Sequence, residues 1–371
     1  MTQLYSQRVA RLLEAMTVHG LEAVILLPGP NMLYYTGLSF HLMGRPTLAV
    51  FTPDMAPLLF VGDLERAKAE GCSLAPQVVT YGEDMASRQA AFKEVEKRIG
   101  LSRRRTGVEP LRMRWMEQQA LLEASPGVRL TSAEEALEPL RAVKSADELA
   151  SIERAIEIAE SALQAFVPSV RAGVTERDLA SELSLQLLRA GSEPELPFFP
   201  IVASGPNAAL PHAVPTLRRL QRGDLLIVDW GATVEGLISD LTRTFSLGDV
   251  EPEFQRIHNI VAEANAAGRN AVQPGAPCRA VDHAARAVIE AAGYGPAFLH
   301  RTGHGIGLEA HEPPYLRSDN EARLAEGMTF TVEPGIYLEG RGGVRIEDNL
   351  VVTPQGGRTL SHLPRDLVSL G

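Results

Sequence analysis

Cysteine is nearly absent: Cys72 and Cys278 are the two in 371 residues. Two isolated thiols supply neither a disulfide framework nor the clustered thiolates of a zinc site, which fits a reducing compartment. Long apolar runs are missing as well, and no stretch approaches the ~20 residues that span a bilayer. The N-terminus carries early charge and lacks the apolar segment of a secretory signal. Compact basic clusters are scarce. Arg103-Arg104-Arg105 is the one such run, and it reads as a solvated loop after a helix. The net charge of −10 argues against binding nucleic acid or an anionic membrane. These absences predict a cytoplasmic protein that works on neither. What is present, 45% hydrophobic and 22% charged residues, is the composition of a globular chain with ample core. Its length allows one large domain or two ordinary ones.

Residues 1–140 read as an α/β unit of their own. Val9, Leu12, Leu13 and Met16 share a helical face, and His19-Gly20 closes that helix. Ala23–Leu27 is a buried strand. The stretches 48–51 and 57–61 pair about Pro53-Asp54. A helix near 86–99, a strand near 107–109, a helix near 112–124 and a strand at 128–130 follow. No His, Cys or acid in this part has ligand spacing, so its expected role is structural or to shape a wall of a site built elsewhere. The boundary is placed in Pro139–Ser145, and residues 141–371 form the second domain.

Ser145 with Glu148 is a capping box that opens a long helix to about Phe166, and Thr175 with Asp178 opens another that stops at Gly191. Gly173 and Gly191 bracket this second helix. Gly275 and Gly293 bracket a later one with the same spacing, at a constant offset of 102 residues. Each bracketed helix follows a longer one (146–166 and 253–271) and precedes strands. Helix, helix, strands, twice over, predicts two related halves about a pseudo-two-fold axis, with a cleft between them.

The chemistry concentrates around these strands. Asp229 and Asp240 flank a hairpin whose turn contains Glu235-Gly236. A turn centred near Val234 and Glu235 sets the two acids opposite, about 5 Å apart, and a slip of one residue leaves them diagonal on one face. By itself this is equally a hairpin with two solvated acids. Further on, Gly303, Gly305 and Gly307 surround His304, which leaves that imidazole open to a ligand. A nucleotide cradle is disfavoured because the glycine spacing is wrong and no βαβ unit surrounds it. A strand over 328–332 delivers Glu333, with Pro334 breaking the ladder. A further strand over 342–352 puts Arg345, Glu347 and Asn349 on one face and Val344 and Ile346 on the other. Four carboxylates (Asp229, Asp240, Glu333, Glu347) and His304 in one cavity require counter-charge, and two divalent cations supply it. Oxygen-rich ligation with one nitrogen suits Mn²⁺ foremost, and also Co²⁺, Fe²⁺ or Zn²⁺.

Asp-x-Gly with a second Asp eleven on, Gly-His-Gly-x-Gly, Glu-Pro-Gly and Arg-Ile-Glu-Asp, in this order, resemble the pita-bread metallopeptidases. The preceding α/β unit is similar to that of the proline-specific branch and of creatinase. The resemblance implies an α+β protein with a smaller creatinase-type domain ahead of a pita-bread domain with an internal pseudo-two-fold repeat. It implies a homodimer that hydrolyses Xaa-Pro peptide bonds, as prolidase or aminopeptidase P, through hydroxide shared by two metals. By position, Asp229 binds one metal, Asp240 and Glu347 bridge, and His304 and Glu333 complete the other. Glu333 also transfers the proton, His311 stabilises the tetrahedral intermediate, and His212 and His300 contact the substrate near the leaving proline. Tyr337 and Arg345 are implied to hold the ligating carboxylates. Where many prolidases carry an arginine four residues after the histidine standing at 311, to grip a dipeptide's terminal carboxylate, this chain has Tyr315, and Arg317 is the candidate to read that carboxylate in its place, both counted as substrate-binding residues. That leaves dipeptide against longer-peptide specificity open. The rivals are a carboxypeptidase-like or methionine aminopeptidase specificity on the same scaffold, and a metal-free binding module.

Overall fold

A computed structural model describes residues 2–371, and no helix in it is long and apolar enough to cross a membrane. The chain divides into two compact units, one ending at Leu140 and one running from Arg141 to Gly371.

In the first unit, α1 (Thr2–Val18) buries Leu12 and Met16 and ends where Gly20 adopts a left-handed φ of 63°. Then come β1 (Ala23–Leu26), α2 (Pro30–Thr36), β2 (Leu48–Thr52), β3 (Met55–Gly62), α3 (Arg66–Glu70) and β4 (Gln77–Tyr81). The helix α4 (Met85–Ile99) starts at Asp84, whose carboxylate accepts from the Ser87 N–H at 2.8 Å. β5 (Arg105–Val108), α5 (Trp115–Ala124) and β6 (Arg129–Ser132) complete a six-stranded sheet of order β4-β3-β2-β1-β5-β6. Only β2 runs antiparallel to its neighbours. The next element, α6 (Glu134–Ala142), is a helix that runs into the stretch where the boundary is expected, with Pro139 inside it. Proline removes one N–H from a helix this short, while Ala136 and Leu137 still gain burial.

The second unit opens with α7 (Ala146–Phe166), and its capping box is formed as expected: Ser145 accepts from the Glu148 N–H, and Glu148 accepts from the Ser145 N–H. α8 (Glu176–Ala190) starts on Thr175. β7 (Ile201–Ser204), β8 (Leu225–Trp230), a small ladder of β9 (Thr233–Val234) with β10 (Leu237–Ile238), and β11 (Leu241–Leu247) follow. The pattern then repeats: α9 (Pro252–Asn270), α10 (Cys278–Ala291), and strands β12 (Gly303–Gly305), β13 (Glu312–Leu316), β14 (Thr329–Val332), β15 (Gly335–Leu338), β16 (Gly342–Arg345), β17 (Asp348–Thr353) and β18 (Gly356–Thr359). The bracketing glycines Gly173, Gly191, Gly275 and Gly293 all have φ between 81° and 107°, a conformation that side chains avoid. The last strand, β19 (Val368–Leu370), returns to pair with β11. One sheet is β19-β11-β8-β7, another β13-β12-β14-β17-β18, β15 and β16 form a two-stranded sheet of their own, and a bridge between Thr242 and Glu347 joins the halves. The single strand expected over 342–352 is two strands of different sheets, β16 and β17, parted at Ile346-Glu347. Val344 and Ile346 nonetheless enter the apolar core, as the alternation requires.

On α9, His258 is 2% exposed, and its Nε2 has no hydrogen-bond partner. Burial holds its pKa down at about 4. A base with a depressed pKa contributes stability above its unfolded value near 6.5, and that contribution is lost as the pH falls toward 4. The full effect is roughly 3 kcal/mol. His258→Leu should therefore flatten the decline in unfolding free energy between about pH 6.5 and 4. An unchanged slope in denaturant melts across that range would contradict this.

Candidate active site

Asp229 is the penultimate residue of β8, and Asp240 directly precedes β11. Trp230 pairs with Leu241 and Asp229 with Thr242, so the two acids are diagonal. The turn is Glu235-Gly236, both at positive φ (53° and 74°), one residue later than the position that would set the acids opposite. Gly231 is required here because a side chain would collide with the Ser239 carbonyl.

The second half brings His304, Glu333 and Glu347. The glycines around His304 serve a different purpose from opening its imidazole. A side chain at Gly303 would strike the Thr331 carbonyl, at Gly305 the Pro313 carbonyl, and at Gly307 the Glu312 carboxylate. They allow neighbouring chain segments to close on β12. Glu333 follows β14 and is anchored by its N–H to the Thr302 carbonyl at 2.8 Å. His304 Nε2 stands 3.2 Å from Glu333 Oε1 and 3.7 Å from Asp240 Oδ2.

The donor atoms fall into overlapping triads. Asp229, Asp240 and Glu347 each offer one oxygen within 4.8 Å of the others, and so do the donors of His304, Glu333 and Glu347. Asp240, His304 and His311 form a third such group. Asp240, His304 and Glu347 each belong to two triads. Asp229 Oδ1 is buried with no hydrogen-bond partner, the signature of an oxygen whose proper partner is a cation. Burial and the neighbouring carboxylates push Asp240 and Glu347 well above the usual carboxylate range. Burial also raises Asp229, against the pull of Arg345. Burial acts in the same direction on Glu333. There the hydrogen bond and charge of His304, with the charges of His300 and Arg345, outweigh it and leave the group at about 2. Anionic oxygens forced together with one imidazole fit two divalent ions.

A polar frame holds this set. Arg345 is 3% exposed and donates to Asp229 Oδ2 at 2.5 Å, to Thr242 Oγ1 at 3.1 Å, to the Tyr337 hydroxyl at 3.0 Å and to the Pro211 carbonyl at 3.1 Å. Thr242 in turn donates to Glu347 Oε2 at 2.6 Å. Tyr337 touches Arg345 and His300 rather than a ligating carboxylate. Asn349 grips the Asp240 backbone, donating to its carbonyl and accepting from its N–H. Its place on the face of Arg345 and Glu347 was readable from alternation. The part played by Thr242 was not.

A cavity of about 590 Å³ opens on the five ligand candidates, and His212, His300, His311 and Arg317 also line it. Tyr315 is not in the lining; its ring lies 4.7 Å below the guanidinium of Arg301, which is. Arg301, Phe198 and Phe199 are lining residues that the sequence motifs did not single out. Burial holds His311 down at about 4, with His304 and Arg301 adding to the effect, so its ring is neutral at pH 7.

Residues 150–354 match metallopeptidase family M24, and residues 8–143 match the creatinase/prolidase N-terminal domain. A curated Xaa-Pro dipeptidase from Pyrococcus horikoshii is 33% identical over 366 residues, 98% of this chain and 99% of that one. Among solved structures, a dipeptidase from Pyrococcus horikoshii OT3 superimposes with a TM-score of 0.92 at 34% identity, covering 98% of this chain and 100% of that one. An X-Pro aminopeptidase from Thermotoga maritima gives 0.85 at 30% identity, covering 98% and 99%. On this likeness the protein belongs to metallopeptidase family M24, an α+β peptidase with a pita-bread domain behind a creatinase/prolidase-type N-terminal domain.

Proposed function

We propose that this protein is a dinuclear Xaa-Pro dipeptidase. The observation that carries the reading is the pair of donor triads sharing Glu347, set in a cavity that also presents His212, His300 and His311. In this reading Asp229, Asp240, His304, Glu333 and Glu347 would hold the two metals between them. Bound there, Mn²⁺ (or Co²⁺, Fe²⁺ or Zn²⁺) would polarise the scissile carbonyl and acidify water.

The chain's own groups do the rest. Glu333 takes the proton of the attacking water and passes it to the leaving nitrogen. Arg301 Nη2 lies 3.2 Å from His311 Nδ1 and donates to it, which assigns the His311 proton to Nε2, where it can be donated to the developing oxyanion. His300 has both ring nitrogens engaged, by the Arg301 carbonyl at 2.7 Å and the Tyr337 hydroxyl at 2.8 Å, so it offers substrate a ring face rather than a proton. His212, exposed in its loop, remains free to donate. Phe198, Phe199 and Ile201 supply apolar wall for a proline ring. The catalytic unit in this reading is 141–371, and residues up to 140 form a separate N-terminal unit. A homodimer, the state implied by the family resemblance, in the cytoplasm that the composition predicts, completes the reading, and sedimentation tests the dimer.

Tyr315 favours a second reading, an aminopeptidase for longer Xaa-Pro peptides. One panel separates them: Xaa-Pro dipeptides, Xaa-Pro tripeptides and end-blocked peptides, assayed with Mn²⁺, Co²⁺ and Zn²⁺. The dipeptidase reading expects the free dipeptide with Mn²⁺ to be cleaved best, and preference for tripeptides would overturn it. His311→Ala is expected to lower kcat by roughly 10²–10³-fold with about two metals still bound. Loss of one metal per chain instead would make His311 a ligand, the role its triad with Asp240 and His304 allows.

A further inference from the structure

We propose that Arg301 is the specificity determinant that receives the substrate's terminal carboxylate, with Tyr315 as its platform. This rests on the dipeptidase reading and names its leaving-side contact. The carboxylate of a C-terminal proline is two bonds from the leaving nitrogen, so its reader must stand beside the groups that handle the reaction. Arg301 does: it lines the cavity with Glu333 and donates to His311. Its guanidinium lies over the Tyr315 ring at 4.7 Å. Stacking uses the face of the guanidinium and leaves the N–H groups that do not donate to His311 available for a carboxylate.

Competition for the role is weak. Of the arginines lining the cavity, Arg345 is committed to Asp229, and Arg317 is bonded to Asp319 at 2.8 Å with its side chain 59% exposed. Among the described residues no carboxylate pairs with Arg301, although it is half-buried in a chain of net charge −10. The aromatic ring at 315 therefore relocates the cation rather than deleting it. Tyr315 sits opposite His304 across the β12–β13 ladder, which keeps its ring beside the site.

The test uses full-length enzyme loaded with Mn²⁺ and compares an Xaa-Pro dipeptide with its C-terminal amide. The readout is the ratio of their kcat/KM values, because loss of the Arg301–His311 bond slows both substrates alike. Arg301→Ala should lower the ratio by about 10–100-fold, the cost of a charged hydrogen-bonded pair. Arg301→Gln, which keeps the bulk should the alanine variant fold poorly, should do the same, and Arg301→Lys should restore only part. A ratio unchanged in the alanine and glutamine variants of an active enzyme would overturn the proposal alone. So would Arg317→Ala taking the loss in their place. Wild-type enzyme that cleaves neither substrate would overturn the dipeptidase reading and this proposal with it.

Discussion

Glu333→Gln is expected to lower kcat by about 10³-fold or more, and excess metal is expected not to restore it. Glutamine keeps one oxygen where the carboxylate had two and cannot accept a proton at neutral pH. Two functions are lost together, and they have different signatures. Weaker ligation raises the Mn²⁺ concentration needed for loading, and saturating Mn²⁺ offsets it. A missing proton carrier persists at any metal concentration. The group's surroundings support the ligand half of the assignment: its carboxylate is 14% exposed, stands 3.2 Å from His304 Nε2, and is held ionised by that neighbour with help from His300 and Arg345. A metal on Nε2 would replace the imidazole hydrogen bond with a larger positive charge. If saturating Mn²⁺ returned Glu333→Gln to wild-type turnover, Glu333 would be a ligand only, and the proton carrier would have to be sought elsewhere.

How much of this was legible depended on whether the cause was local. The capping box at Ser145 and the left-handed glycines at 173, 191, 275 and 293 are one-turn effects, and a single sequence displays them. The repeat could be read because those glycines recur at a fixed offset. Alternation placed Arg345, Glu347 and Asn349 on one face, and although the strand is divided at Ile346-Glu347 all three still reach the site, Arg345 at Asp229, Glu347 at Thr242 and Asn349 at Asp240. The glycines at 303, 305 and 307 misled because their partners, the Thr331 and Pro313 carbonyls and the Glu312 carboxylate, come from other segments. Glu312 is a further case: it is buried between Arg141 and Lys144, 2.6 Å from each, next to His311. Nothing in its neighbourhood along the chain announces two cations from more than 160 residues away. The short helix α2 and strand β4 were also missed, because seven and five residues are too few for a periodicity to emerge.

Stripping the metals should change the pH dependence of stability as well as abolish turnover. Asp240 and Glu347 have pKa values well above the usual carboxylate range in the metal-free fold, because burial and neighbouring carboxylates penalise their charge. A group whose folded pKa is raised contributes stability below its unfolded value, about 4, and that stability is lost as the pH rises through the folded pKa. The stripped chain should therefore weaken on going from about pH 5 to neutrality. Glu333 acts oppositely, but its contribution is lost only as the pH falls from about 4.5 toward 2, outside that window. His258 titrates alike in both forms and cancels from the difference. Metal binding requires the protons to leave, so stabilisation by Mn²⁺ should grow with pH. At a free ion concentration about 1,000 times Kd, one site adds about 4 kcal/mol, or roughly 10 °C in Tm for a unit of this size. The check is calorimetry of chelator-stripped and Mn²⁺-loaded protein from about pH 5 to 8, with elemental analysis of each. The gap in Tm should widen steadily with pH, and turnover should return on reloading. A gap that held constant or narrowed would mean that these carboxylates are already ionised without metal, and that Arg345 rather than a pair of ions balances the cluster.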